Sequence, residues 1–249
     1  MRYLLWSVLL ATLVLVFATP EATAEKQLSV IPLETIEPTP INLGQWETEV
    51  SCQVGNLNQT HYGILNFLTP PEDYKLVFDP MTTCTACPVG FRLSKVHVLL
   101  RVLDACTIAM SVDVERAMYA TPDCPEPGAV LCATVVYQVN LPSEGSYDVG
   151  IPIDSTGSPD CDCLAMGQKY LLSVHFQGVS CSPVPFLEAD AGPAIPCTNW
   201  NNRGAGWVDL AVEWPDWPGQ LKFFADAACC NPPTPIENNT WGRIKSVFW

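Results

Sequence analysis

Lys95-Val96-His97-Val98-Leu99-Leu100-Arg101-Val102 is the stretch on which the reading of the fold turns. Val96, Val98, Leu100 and Val102 fall on one side of an extended chain, and Lys95, His97 and Arg101 fall on the other. That period of two marks a strand with one face in a core and the other in water. The next run repeats it, with Ile108, Met110, Val112 and Val114 opposing Thr107, Ser111 and Asp113. Working outward, strand-length runs of the same kind lie at 131–139, 170–176, 208–214 and 221–225, with weaker ones at 63–68, 74–78 and 147–153. The total is about ten strands separated by Pro, Gly, Asp and Ser clusters. Helical spacing is absent between Glu49 and Cys230. A parallel sheet needs helical crossovers. The pattern therefore predicts an all-β fold, an antiparallel β-sandwich of jelly-roll type.

The chain begins Met1-Arg2, runs almost wholly apolar from Leu4 to Phe17, and reaches Pro20 and the small-residue triplet Ala22-Thr23-Ala24. These are the parts of a secretory signal peptide, an N-terminal helix removed after Ala24. The apolar run is shorter than the roughly 20 residues that span a bilayer, and no second long run follows, so no membrane span is expected after cleavage. The expected organisation is a signal peptide at 1–24, an extended leader arm at 25–45, a β-sandwich domain at 46–230, and a Pro-rich spacer with a short amphipathic tail at 231–249. In that tail Trp241, Ile244, Val247 and Phe248 recur at helical spacing behind Thr240, a capping residue type.

Charge narrows the partners. The 249 residues carry 12 basic and 26 acidic side chains, a net charge of −14 that is unchanged by losing Arg2 and Glu21 with the signal peptide. Nucleic acid and anionic membranes are bound by Lys and Arg that neutralise phosphates, so this chain would repel them.

Twelve cysteines all follow residue 24: Cys52, Cys84, Cys87, Cys106, Cys124, Cys132, Cys161, Cys163, Cys181, Cys197, Cys229 and Cys230. An even set in an exported chain reads as disulfides. Spacing suggests the local pairs Cys124–Cys132 and Cys181–Cys197. Cys161 and Cys163, and likewise Cys229 and Cys230, sit too close to bridge one another easily and should reach different strands or loops. Cys84-Thr85-Ala86-Cys87 has the spacing of zinc knuckles and of thioredoxin-like sites. A zinc site needs a second close ligand pair, and His61, His97 and His175 are scattered. A redox site needs the pair to open a helix, whereas Pro88-Val89-Gly90 leads into a strand. Structural disulfides are the reading taken.

Two regions offer sites. Asp154, Asp160 and Asp162 share one turn-rich loop, and with Asp190 they are candidate ligands for calcium, which favours clustered carboxylate and carbonyl oxygens. Acidic loop residues are more often simply solvated. Cys197-Thr198-Asn199-Trp200-Asn201-Asn202-Arg203-Gly204-Ala205-Gly206-Trp207 is the most distinctive segment. Trp200, Trp207 and Trp217 could stack on sugar faces while Asn201, Asn202 and Arg203 bind hydroxyls. The competing reading, favoured here, is that the tryptophans plug the end of the sandwich while Gly204 and Gly206 permit a tight turn. No G-x-S-x-G, H-E-x-x-H or phosphate loop is present. The sequons at Asn58 and Asn238 are read as chance.

Pro196-Cys197, Trp200, Gly204, Gly206-Trp207, Asp209-Leu210, Pro218-Gly219 and the run from Asp226 to Cys229-Cys230 resemble a group of secreted bacterial proteins. In these a cysteine-rich β-sandwich is followed by a Pro-rich spacer and a tail similar to Thr240-Trp241-Gly242-Arg243-Ile244-Lys245. The resemblance implies export and the β fold, and it suggests a sorting or surface-attachment role for the tail. It carries no reaction or substrate. The functional expectation is a secreted or cell-surface, non-enzymatic module that binds a ligand such as a glycan, in the extracellular space or the periplasm. The alternative is a structural or assembly protein of the cell envelope with an envelope protein as partner. A carboxylate-dependent hydrolase is the minority reading, because two acids at the right separation would suffice.

Overall fold

The structure is a computed structural model that describes residues 28–33, 37–44, 52–65, 67–153 and 163–230. The signal peptide expected at 1–24, the candidate calcium ligands Asp154, Asp160 and Asp162, Cys161, and the spacer and tail at 231–249 lie outside the described residues. Among the described residues no helix is long and apolar enough to cross a membrane.

The early elements are β1 (Ser29–Pro32), β2 (Thr39–Asn42), β3 (Cys52–Gly55), β4 (Tyr62–Leu65), β5 (Glu72–Phe78) and the single-turn helix α1 (Pro80–Thr83). The middle of the chain forms β6 (Gly90–Val102), β7 (Cys106–Arg116), β8 (Met118–Thr121), β9 (Cys124–Glu126), β10 (Val130–Ala133), β11 (Tyr137–Leu141) and β12 (Gly145–Pro152). The remainder forms β13 (Leu164–Ala165), β14 (Tyr170–Val179), β15 (Phe186–Ala189), β16 (Asn199–Asn202), β17 (Trp207–Asp209), α2 (Leu210–Glu213) and β18 (Phe223–Cys229).

These make the expected antiparallel sandwich. The first sheet runs β1-β4-β15-β6-β12-β2, with β13 and β18 also on β6 and β3 on β18. The second runs β10-β7-β14-β5-β16-β17, with β11 also on β7. The pairing is antiparallel except between β12 and β2. Inward side chains of both sheets meet in one core, including Val96, Val98, Leu100, Val149 and Phe223 from the first and Tyr74, Met110, Val112, Leu172 and Val174 from the second. The alternation that announced β6 is reset once. Leu93 and Val96 both point inward, because the pairing with β18 slips between Asp226 and Ala227, leaving Ser94 as the extra residue of a bulge.

Several expectations need correction. The leader arm is extended, yet its two halves are edge strands, β1 on β4 and β2 on β12. The run at 131–139 is two strands, since the chain leaves the sheet at 134–136, where Val135 is 72% exposed. The run at 208–214 ends as a strand at Asp209, whose carboxylate accepts the Ala211 N–H and starts α2.

The local disulfide pairs are also overturned. Cys124 bonds Cys197 and Cys181 bonds Cys106, both across sequence separations above seventy. Nearness in sequence loses here to strand order, which brings distant segments to the spacing a disulfide requires. The adjacent cysteines do diverge as expected: Cys229 joins Cys87, and Cys230 joins Cys163. Cys52 joins Cys84, and Cys132 is also disulfide-bonded. Each bridge of this kind contributes about 2–4 kcal/mol by constraining the unfolded chain.

Candidate functional site

The outer face of the first sheet carries a cleft of about 340 Å³. Its floor comes from three neighbouring strands, β6, β12 and β18. Strand alternation turns His97 and Leu99, Asp148, and Phe224 and Asp226 outward, opposite the core positions Val96, Val98, Val149, Phe223 and Ala225. Glu37, Pro38 and Pro40 of the N-terminal arm line the cleft together with the turn from Asn56 to His61 that links β3 and β4. Gly55 enters that turn at φ 106°, and a Cβ there would meet the Phe223 carbonyl oxygen at 2.5 Å, so only glycine lets β3 lie this close to β18.

The turn is held in place from beneath. Asn56 Nδ2 donates to the carbonyls of Gln220 (2.9 Å) and Leu221 (3.1 Å), and its Oδ1 accepts the Asn58 N–H (3.1 Å). Lys222, 3% exposed, donates to the carbonyl oxygens of Asn56 and Asn58. Burial lowers the Lys222 pKa, against the opposing pull of Asp190 and Glu188. Thr60 Oγ1 accepts the Ala191 N–H at 2.8 Å. Such fixed donors and acceptors reduce the ordering cost of binding.

His61 lines the cleft, and His97 contacts two residues that line it, Asp148 and Phe224. His61 Nδ1 donates to Glu188 Oε2 at 2.9 Å, which sets the ring's tautomer. Glu188 is 1% exposed, and its Oε1 is buried with no hydrogen-bond partner among the described residues. His97 is clamped between carboxylates, with Nδ1 on Asp148 (2.8 and 3.0 Å) and Nε2 on Asp226 (3.2 Å). The Phe224 ring stacks flat on it, 4.5 Å between centroids and 5° between planes. Burial pulls the His97 pKa down, but the hydrogen bonds and charges of Asp148 and Asp226 outweigh it and raise the pKa to about 9. The same partnership lowers the Asp226 pKa, led by the His97 hydrogen bond. At neutral pH the imidazole is therefore a cation that fixes two acids and backs an aromatic ring.

The outer face of the second sheet is built from similar parts, with its lysine covered. His175 bridges Asp73 (2.7 Å) and Asp113 (2.6 Å), and its pKa also rises to about 9 because those carboxylates outweigh burial. Beside it Lys75 pairs with Glu115, which also accepts from Ser173 Oγ (3.3 Å) and the Gly128 N–H (3.1 Å). The Trp207 ring lies over the ammonium, 3.8 Å from its centroid. Ala117, Leu171 and Trp200 form a small apolar cluster here, with Trp207 and the sulfur bridge Cys124–Cys197 packed against it.

The tryptophan-rich segment does not gather its polar and aromatic residues on one surface. In β16 alternation sends Trp200 and Asn202 outward and Asn199 and Asn201 inward. Trp200 is 8% exposed in the apolar cluster, while Asn201 is wholly buried and donates to Glu72 Oε1 and the Asp73 carbonyl. Asn202 accepts the N–H groups of Gly204 and Gly206, and Arg203 lies over Trp214 with Glu213 3.7 Å away. Trp217 is core, edge-on to Phe67. Asp190, offered above as a calcium ligand, spends Oδ1 on the N–H groups of Gly192 and Gln220 (3.0 Å each). None of the cleft residues reads in the sequence as ligand-binding: His61 and His97 are weighed there only as zinc ligands, and Asn58 only as a sequon. Their only advance signal is polar residues at outward strand positions, which any solvated face also shows.

Two solved structures are similar at the level of overall shape. One holds the cysteine protease and lectin-like domains of Cwp84, a surface layer associated protein of Clostridium difficile, with TM-score 0.43, 10% identity, and coverage of 72% of this chain and 36% of that one. The other is the Clostridial cysteine protease Cwp84 after propeptide cleavage, with TM-score 0.44, 11% identity, and coverage of 72% and 41%. The chain thus spans well under half the length of each. No curated protein matches it. A family model does match, over residues 55–227, from the glycine that ends β3 almost to the end of β18, and the chain belongs to the domain of unknown function family DUF7451.

Proposed function

We propose that the protein is a secreted or cell-surface β-sandwich module that binds a hydroxyl-rich ligand, a glycan, in the cleft on its first sheet. The observation that carries the reading is the composition of that cleft. Amides of Gln53, Asn58 and Gln59, the imidazole of His61 and the aromatic ring of Phe224 line it together, over a framework already fixed by Asn56, Lys222 and Glu188. Amides and imidazoles both give and accept hydrogen bonds, as hydroxyls do, and a ring face suits the apolar side of a sugar. The disulfides support an oxidising compartment. The strongly negative chain favours a neutral ligand over an anionic one.

The test is a glycan array followed by calorimetry of any hit on the unaltered protein, on Phe224→Ala with Gln59→Ala, and on Trp207→Ala. Binding that the cleft changes abolish and Trp207→Ala leaves intact supports the reading. Binding that survives the cleft changes, or no binding across the array, overturns it.

A second reading, an envelope assembly block, is favoured by one observation. Val130, Val135 and Val136 on the β10 margin of the second sheet, and Met118 and Tyr119 in the neighbouring hairpin, are all exposed. Light scattering across a concentration series, with Val135→Lys and Val136→Lys as controls, checks it. A monomer at every concentration would remove it.

A further inference from the structure

Four of the cysteines lie together at one end of the sandwich. Cys52 on β3 is bonded to Cys84, which follows α1, and Cys87 is bonded to Cys229 at the end of β18. The two disulfides touch: Cys84 Sγ is 3.5 Å from Cys87 Sγ, and Cys52 Sγ is 3.9 Å from it. Cys52, Cys84 and Cys87 sulfurs all lie within 4.8 Å of one another. The inner pair is buried, Cys84 at 0% and Cys87 at 1% exposure, whereas Cys52 and Cys229 are half-buried. Cys84 and Cys87 also close a tight turn, the Cys87 N–H donating to the Cys84 carbonyl at 3.1 Å.

We propose that these four cysteines form one exchangeable unit that takes up a small thiol at an outer sulfur and relays the exchange inward to a Cys84–Cys87 bridge. The chemistry is thiol–disulfide exchange, in which a thiolate attacks one sulfur of a disulfide and the other sulfur departs with the electron pair. A low-molecular-weight thiolate attacks Cys52 Sγ, forming a mixed disulfide there and breaking the bond to Cys84. The Cys84 thiolate, already in contact with Cys87, attacks Cys87 Sγ, closes the Cys84–Cys87 bond and expels Cys229. The Cys229 thiolate takes up the proton that the attacking thiol gave up on ionising. Two S–S bonds exist before and two after, with one thiol consumed and one produced, so nothing is oxidised or reduced overall.

Attack from the other end converges on the same product. A thiolate at Cys229 expels Cys87, which attacks Cys84 and expels Cys52. Either route, through two successive exchanges, releases both β3 and β18 from the turn at 84–87. Those strands carry Gln53 and Phe224 of the cleft, so the exchange acts on the strands that build it.

The test uses the folded full chain and glutathione. After brief exposure under native conditions, free thiols are trapped with iodoacetamide and the unreduced digest is mapped by mass spectrometry. The expected product carries one glutathione and one alkyl group, on Cys52 and Cys229 in either arrangement. Its Cys84 and Cys87 peptides are joined, and the bridges Cys106–Cys181, Cys124–Cys197 and Cys163–Cys230 are intact. Alkylation at Cys84 or Cys87 would show exchange that stalls after one attack. No uptake by the folded chain, or uptake spread evenly over every bridge, would equally overturn the relay. In Cys52→Ala with Cys84→Ala the relay has no second disulfide, and the expected trapped thiol moves to Cys87. A thiol still trapped elsewhere would contradict the proposal, and if this variant does not fold the native mapping decides alone.

Discussion

The two outer faces of this sandwich are made from nearly the same polar parts and put them to different ends. Each has a histidine held between two aspartates, His97 on the first sheet and His175 on the second, and each has a buried lysine near glutamate. On the second sheet Trp207, Trp200 and the disulfide Cys124–Cys197 cover the lysine, which meets Glu115 directly, while His175 and Asp73 stay more exposed than His97 and Asp148 on the first. On the first sheet the lysine is turned into the carbonyls of the Asn56–Asn58 turn, and a cleft stays open above Phe224. Paired charge alone therefore does not mark a site. What separates the faces is where the buried lysine is spent, on a glutamate under a tryptophan or on the carbonyls of a turn that borders a cleft.

The largest expected effect lies at the covered lysine. Lys75→Met leaves Glu115 buried without its counter-charge, and losing one member of a buried pair costs about 3–5 kcal/mol. Urea denaturation should show that loss, and the double change Lys75→Met with Glu115→Leu should recover much of it. Ligand binding by the refolded variants should be unchanged, because the cleft is on the other sheet.

Next in size is the covering itself. Replacing Cys124 and Cys197 by serine should lower stability by about 2–4 kcal/mol, read by thermal melting. An equal loss of ligand affinity would mean that the two faces are not independent.

A third test titrates both faces. His97 and His175 have folded-state pKa values raised to about 9, above the ordinary value near 6.5. Their contribution is fully present below pH 6.5 and is lost as pH rises toward 9, because the unfolded chain releases those protons first. The urea midpoint should fall across that window. His175→Gln and His97→Gln should each flatten the fall, by less than the two preceding changes. Only His97→Gln should alter the pH dependence of binding, since His97 orients Asp148 on the cleft wall.

The sequence carried the strands well where one face meets the core and the other meets water. Lys95 to Val102 and the run at 107–114 alternate because of that, and they became β6, at the centre of the first sheet, and β7, which pairs with β10, β11 and β14 in the second. The same rule failed at Asp209, where a capping carboxylate was present in the sequence and outweighed by the apolar residues after it. Sheet order was not legible, and the disulfides and the cleft depend on it. His97 meets Asp148 and Asp226 only because β12 and β18 flank β6 in a register that makes them diagonal neighbours. His61 and Glu188 are 127 residues apart and meet because β15 lies beside β4. The tryptophan segment stood out by composition, yet alternation within β16 divides it between two sides of a sheet.

The most direct test of the open face is an amide and side-chain NMR titration of the unaltered protein with a panel of neutral oligosaccharides. Saturable shifts that map to Gln53, Asn56, Asn58, Gln59, His61, Asp148 and Phe224, with the Trp207 indole unmoved, are the predicted result. Shifts confined to the segment from Trp200 to Trp217, or a spectrum that no oligosaccharide changes, would contradict it.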